Sequence, residues 1–217
     1  MARLRKAAKI WRNPEAQSLA NRVMVPHGDA LFAVEPTRLF FRPAPLEVEF
    51  GAGKGDFIIE RAASAPERNF LAIELANSVA RMLAVRVGRS ELPNVRVLLA
   101  DARPVANLFL PDRSVAAYHI YFPDPWPKER QIKHRLFTPR FVRGIERTLD
   151  IALGRVFVAT DVEDYARDIF AMLTAGGLER VDEPAAGARR SNFGRKYAEA
   201  GKAVFSGVFR LSPMRSK

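Results

Sequence analysis

Short apolar runs rich in β-branched and aromatic residues alternate along this chain with stretches of helical periodicity. The runs are LEVEF (46–50), NFLAIE (69–74), VRVLLA (95–100), VAAYHIYF (115–122) and RVFVAT (155–160). Between them, apolar residues recur at helical spacing and predict helices at about 55–64, 76–89, 137–150 and 163–174, with a shorter one near 103–110. Strands that alternate with helices in this way predict an α/β fold, a Rossmann-like and mostly parallel sheet with helices on both faces. After Gly176-Gly177 the sequence reads as a loop through EPAAGARRSNFGRKY and then a late strand, AVFSGVFRL (203–211). Residues 26–45 hold four prolines and little periodicity, so they read as a connecting strap. The organisation expected is a basic N-terminal arm over 1–30, free to be flexible until it meets a partner, followed by a single domain over 31–217.

Charge changes the picture next. A formal net charge of +11 on 217 residues exceeds what solubility needs and points to a polyanionic partner. The excess is uneven: residues 1–22 carry six Lys or Arg against one Glu, and residues 189–217 carry eight against one. No apolar run approaches the length of a bilayer span, so nucleic acid is favoured over membrane. The N-terminal segment lacks the long apolar stretch of a secretory signal, and a cytoplasmic location is expected. With no cysteine there is neither disulfide nor thiolate chemistry, and His27, His119 and His134 are too scattered for a metal cluster. Composition leaves monomer and homodimer both open.

LEVEFGAGKGDF places a strand before the glycines Gly51, Gly53 and Gly55 and a helix after them, the arrangement that brings backbone against a ligand at the carboxyl edge of an open sheet. A dinucleotide fingerprint wants glycine where this chain has Asp56, so a pyrophosphate would meet a carboxylate there. S-adenosylmethionine has no phosphate and carries a sulfonium and an ammonium, which makes acids around the same loop acceptable. The alternative is a tight turn that holds no ligand. Strand alternation puts Glu47 and Glu49 together on one face of the first strand: either one of them faces the cofactor loop, or that face is solvated. Glu74 ends the second run, suited to accept from ribose hydroxyls, and Asp101 ends the third, suited to the adenine amine or to capping the next helix.

The most unusual stretch is FPDPWPKERQIKHR (122–135). Prolines on both sides of Asp124 restrict its backbone, as a positioned functional group requires. Trp126 is suited to stack on a base or a guanidinium, and Lys128, Arg130, Lys133 and Arg135 are suited to track phosphates. Because the stretch follows the fourth strand, it falls at the same sheet edge as the glycine loop. The competing reading is a rigid turn with a packed tryptophan and a solvated basic face.

FPDPWPK with its basic continuation, together with LEVEFGAGKG, AIE, ADA and VATD in that order, resembles the bacterial tRNA (guanine-N7-)-methyltransferases, the TrmB-like family, over about residues 40–211. The resemblance implies a Rossmann-like S-adenosylmethionine-dependent methyltransferase fold with an antiparallel late strand, S-adenosyl-L-methionine as cofactor, tRNA as partner and N7 of a guanine, in the variable loop, as methyl acceptor. It also assigns Glu47, Glu74, Asp101 and Asp124, with the glycine loop, to the cofactor, and Lys128, Asp161 and the 191–194 segment to substrate. Asp124 would orient the guanine. Two departures stand out. The family's E-x-G-x-G is E-V-E-F-G here, which adds Glu49, and its T-x-F-E is Ser191-Asn192-Phe193-Gly194, which loses the acid. Two other readings remain open at this point: transfer to an exocyclic base amine, since Asp124-Pro125-Trp126 partly matches the D/N-P-P-Y/F/W turn of such enzymes, and a non-catalytic basic RNA-binding module.

Overall fold

The computed structural model describes residues 13–26 and 36–213. Seven strands form one sheet: β1 (Leu46–Phe50), β2 (Asn69–Glu74), β3 (Val95–Leu99), β4 (Val115–Tyr121), β5 (Arg155–Thr160), β6 (Leu178–Val181) and β7 (Phe205–Leu211), in the order β3-β2-β1-β4-β5-β7-β6. β1 to β5 are mutually parallel, and β7 runs antiparallel to both β5 and β6. The five predicted parallel strands and the late antiparallel strand are all present. β6 was not anticipated: LERV is four residues long and, among the described residues, pairs with β7 alone.

The helices are α1 (Pro14–Val23), the single turn α2 (Pro36–Leu39), α3 (Asp56–Ser64), α4 (Asn77–Arg89), the short α5 (Ala102–Pro104) continuing as a π turn over Val105–Phe109, α6 (Pro139–Thr148), α7 (Glu163–Ala175) and α8 (Asn192–Glu199). Alternation along the strands divides the core between the two sheet faces. Val48, Phe50, Leu71, Ile73, Tyr118 and Ile120 pack with Phe141 and Ile145 of α6 and Ile169 of α7. On the other face Phe70, Ala72, Tyr121 and Ala159 pack with Phe57 and Ile58 of α3 and Leu83 and Val87 of α4.

Two expectations change. The stretch 183–197, read as a loop, contains a 3-10 turn (Ala186–Arg190) and α8. Its order is tertiary: Ala188 is buried in the α3 face, Arg190 reaches Glu60 at 3.4 Å and Arg195 reaches Asp56 at 3.1 Å. A segment whose structure depends on such partners carries little periodicity of its own. Within the basic arm, α1 starts at the cap Asn13, whose side chain accepts from the N–H groups of Glu15 and Ala16. It packs on α4, and Val25 N–H donates to Val97 O at 2.8 Å. The rest of the arm, residues 1–12, and residues 27–35 of the strap lie outside the described residues. Among the described residues no helix is long and apolar enough to cross a membrane.

The α1–α4 contact depends on Gly88, where an added Cβ would stand 2.8 Å from the backbone oxygen of Leu19. Gly88→Ala sets a helix-propensity gain of about 0.5–1 kcal/mol against an overpacking cost of about 1–3 kcal/mol at a backbone atom that cannot rotate away. The expected outcome is a net loss of about 1 kcal/mol in urea denaturation; a gain in stability would mean that α1 does not pack as described.

Candidate active site

The strand order reverses between β1 and β4, so the connections leaving these neighbours diverge and open a crevice at the carboxyl edge of the sheet. The glycine loop leaves β1 into that crevice and the Phe122–Arg135 stretch leaves β4 into it. This is the juxtaposition the sequence predicts.

The glycine loop is fastened by its own backbone. Gly51 N–H and Ala52 N–H both donate to Ile73 O, Gly55 N–H donates to Ala52 O, and Gly53 N–H donates to Glu74 Oε2 at 2.9 Å. Gly51 and Gly53 have φ of 74° and 56°, and an added Cβ on Gly51 would meet nothing within 4 Å; glycine is required there by conformation and not by crowding. These four N–H groups are committed to protein oxygens and so are not available to a phosphate. Glu74 also accepts from Ala76 N–H at 2.8 Å, so the acid assigned to ribose ties the ends of β1 and β2 together and keeps further lone pairs for a ligand. Asp101 caps α5 by accepting from Arg103 N–H at 2.9 Å, and its carboxyl is held below its ordinary range chiefly by hydrogen bonds from the Arg103 side chain. The helix-cap alternative for Asp101 is therefore realised, and a role toward adenine would be additional to it.

Both glutamates of β1 are buried, Glu47 to 1% and Glu49 to 4% exposure, which overturns the solvated-face alternative. They are treated differently. Glu47 accepts from Arg61 (2.8 and 3.0 Å), pairs with Arg68 at 3.2 Å and lies 3.0 Å from His119 Nε2. His119 in turn lies 2.9 Å through Nδ1 from the Tyr121 hydroxyl, and its ring stacks on Phe157 and leans on Phe57. Burial pushes His119 down, so the neutral imidazole donates to Glu47. Burial alone would raise Glu47, but hydrogen bonds from His119 and Arg61 outweigh it and bring the carboxyl to about 2. Glu49 has no such set: Oε2 is sealed from solvent and has no hydrogen-bond partner among the described residues. Burial, then Glu74 and Asp56, pushes it well above the ordinary carboxyl range.

The proline-flanked turn is held from both ends. Phe122 and Trp126 have φ of 53° and 41°, a left-handed conformation costly for such residues, so the fold over-determines the loop between them. Phe122 N–H donates to Ala159 O at 2.7 Å. Arg135 donates to Pro125 O at 2.8 Å and to Asp168 at 2.9 Å, and its guanidinium lies 4.6 Å over the Tyr165 ring. Its side chain is only 16% exposed, so Arg135 straps the turn instead of tracking phosphates. Asp124, by contrast, is exposed, as are Lys128, Arg130 and Lys133. Trp126 faces His134 with ring centroids 5.4 Å apart.

α8 closes the far side. Ser191 caps it, accepting from Gly194 N–H at 3.0 Å and donating to Ala188 O at 2.8 Å, so its hydroxyl is committed to the backbone. Asn192 and Phe193 open the helix, and their side chains lie outside the described residues. Tyr197 packs on Phe122 at 5.2 Å, and burial followed by its hydrogen bond to Asp161, at the end of β5, raises its hydroxyl. Glu74, Asp101, Asp124 and Asp161 thus stand at the ends of β2, β3, β4 and β5 along one edge. Sequence reasoning missed the Arg135 strap and the Tyr197–Asp161 contact. The first lay hidden in a run of similar cations; no local signal marks the second.

This architecture is the fold of S-adenosylmethionine-dependent methyltransferases. The chain is similar to the crystal structures of the 16S rRNA methyltransferase KamB (TM-score 0.60, 19% identity, covering 84% of this chain and 95% of that one) and of a SAM dependent methyltransferase from Aquifex aeolicus (TM-score 0.56, 12% identity, 95% and 98%). Residues 43–206 match a family model described as "Putative methyltransferase". Among curated relatives, the tRNA (guanine-N(7)-)-methyltransferase of Saccharophagus degradans is 34% identical over 93% of this chain and 92% of its own length, and that of Syntrophotalea carbinolica 36% identical over 79% and 76%. The chain belongs to the tRNA (guanine-N(7)-)-methyltransferase family.

The Glu47 network predicts an acid limb. A carboxyl at about 2 in the fold and near 4.5 unfolded contributes stability that is fully present above pH 4.5 and is lost as pH falls toward 2. A shift of that size corresponds to a contribution on the order of 3 kcal/mol. Glu47→Gln is expected to unfold at lower urea concentration than wild type at pH 7, with the gap closing toward pH 2. An equal gap at both pH values would deny Glu47 its charge.

Proposed function

We propose that this chain transfers the methyl group of S-adenosylmethionine to N7 of a guanine in tRNA, in the variable loop. The observation that carries this reading is the strapped turn at the crevice, which presents Asp124 to the space beside the glycine loop while the exposed Lys128, Arg130 and Lys133 continue from it. The cofactor fits the residues present: a loop whose glycine N–H groups are taken by protein oxygens, with Glu49, Glu74 and Asp56 beside it, suits a cationic ligand better than an anionic one. Glu74 and the glycine loop would hold it, and it supplies an electrophilic methyl on a sulfonium.

Guanine N7 has an in-plane lone pair and no proton, so the protein need not supply a base at that atom. Its task is alignment. Asp124 is placed to accept from the N1 and N2 donors of guanine, and Asp161, oriented by Tyr197, flanks it from the next strand. The basic turn takes the tRNA backbone.

The direct test is transfer of labelled methyl to unmodified tRNA with identification of the product nucleoside. N7-methylguanosine is expected; a methylated exocyclic amine, or tight RNA binding without transfer, would replace this reading by one of its rivals. Asp124→Asn should fold normally and lose at least about 10²-fold in turnover. Near-normal turnover would remove Asp124 from the mechanism.

Arg135→Ala separates strap from phosphate contact. As a strap, Arg135 is expected to affect kcat by about 10–10²-fold while the salt dependence of tRNA binding is unchanged. Lys133→Ala should instead lower the salt slope by about 1 with little effect on kcat. Exchange of the two signatures would return Arg135 to the RNA-binding surface.

A further inference from the structure

α8 touches both walls of the crevice. On the cofactor wall, Arg195 reaches Asp56 Oδ2 at 3.1 Å, and Asp56 is the first residue of α3, directly after Gly55 of the glycine loop. The other carboxylate oxygen of Asp56 is met by Arg86 of α4 at 2.6 Å, and the same Arg86 nitrogen donates to Lys54 O within the loop. Asp56, with its side chain 14% exposed, therefore joins the loop, α4 and α8 at one point. On the opposite wall, Tyr197 packs on Phe122, where the strapped turn begins, and hydrogen-bonds to Asp161 at the end of β5. Residues two apart on a helix point about 200° away from each other, so Arg195 and Tyr197 reach the two walls from one turn of α8.

The segment is held differently at its start and along its body. Its start is held by shape: an added Cβ on Gly187 would overlap the Tyr121 hydroxyl and the Phe57 ring, Ala188 is buried, and Ser191 caps the helix. A helix of eight residues does not sustain itself. Arg195, Lys196, Ala198 and Glu199 are exposed, so past Gly194 α8 buries no apolar stripe among the described residues. The side chains of Arg195 and Tyr197 tie it to the walls instead.

We propose that Arg195 is a positioning residue for the transfer: its pair with Asp56 seats α8 across the crevice and couples the two sites, so that tRNA binds the cofactor-loaded protein more tightly than the free one. This rests on the reading of the crevice given above and adds to it the residue through which its two sides communicate. The physical route is short. Asp56 follows the glycine loop directly, so a ligand that fixes the loop also fixes Asp56, and Arg195 then loses less freedom in meeting it. With α8 seated, Tyr197 holds Asp161 on the guanine side. Linkage makes the effect mutual: tRNA must tighten the cofactor by the same factor. Because Arg195 is 48% exposed, the pair adds little to global stability, which separates coupling from a merely structural role.

The test is calorimetry of S-adenosylhomocysteine binding to the full chain, without and with saturating unmodified tRNA; this ligand has no methyl to transfer, so no turnover intrudes. Wild type is expected to bind it at least about fivefold more tightly with tRNA present. Arg195→Ala should unfold in urea like wild type and bring that ratio to about one, with the salt slope of tRNA binding unchanged. Arg190→Ala, which removes the pair to Glu60 one turn further along α3, should keep the ratio. If Arg195→Ala fails to fold, Asp56→Asn replaces it with the same expected loss, and because the ratio is taken within one variant, any change in its affinity for the ligand alone cancels. A wild-type ratio of one, or a ratio that Arg195→Ala leaves intact, would overturn the proposal and leave the functional reading standing. Equal losses in Arg195→Ala and Arg190→Ala would also overturn it, as would a salt slope lowered by about 1 in Arg195→Ala, the signature of a phosphate contact. Failure of wild type to bind either ligand would overturn the functional reading as well.

Discussion

A parallel sheet returns every strand in the same direction, so its outgoing connections collect at one edge, and only where the strand order reverses do two of them part widely enough to admit a ligand. In this chain that place lies between β1 and β4. Everything functional is referred to it: the glycine loop closes one side, the proline-flanked turn the other, and the acids that follow β2, β3 and β5 stand along the same edge. The crevice itself comes free with the topology. What the sequence spends is rigidity, in the Glu74–Gly53 clamp, the Arg135 strap and two left-handed residues at the ends of the turn.

The electrostatics run against the chain's overall sign. A protein of net charge +11 gathers Glu47, Glu49, Asp56, Glu74 and Asp101 around one loop while keeping exposed cations on the turn opposite. A cationic small molecule and a polyanion can then share one crevice without competing for the same groups. Arg61 answers Glu47, Arg86 and Arg195 answer Asp56, and Arg103 answers Asp101, while Glu74 is met by the N–H groups of Gly53 and Ala76.

The strands were legible because a buried parallel sheet needs continuous apolar runs, and five such runs end within a residue of where β1 to β5 end. The crevice was legible because loop chemistry at strand ends is local: glycines after LEVEF and prolines after VAAYHIYF. What was not legible depends on partners distant in sequence. Glu47 could be marked as anomalous in a buried strand, but Arg61 lies 14 residues on and His119 72 residues on. Arg135 looked like its neighbours until Asp168 and Tyr165 claimed it. The 183–197 segment lacked a pattern because its helix is fixed by ion pairs to α3 and by the Ser191 cap, not by an apolar stripe of its own.

The family's E-x-G-x-G is met by Glu49-Phe50-Gly51-Ala52-Gly53, so the departure that stands is the acid lost at 194, and that position joins the glycine loop through one chain of contacts. Glu49 is within electrostatic reach of Asp56, Asp56 pairs with Arg195, and Arg195 is the next residue after Gly194. Gly194 is itself buried at the third position of α8, where its N–H completes the Ser191 cap. A serine cap followed three residues later by an acid, the family's arrangement, is also the pattern of a capping box, in which the acid returns to the helix start. Here Ser191 N–H is taken up by Ala188 O instead, so the helix starts without the acid. Arg195 of that helix is turned to Asp56, and among the described residues no cation is left for Glu49 on the strand below.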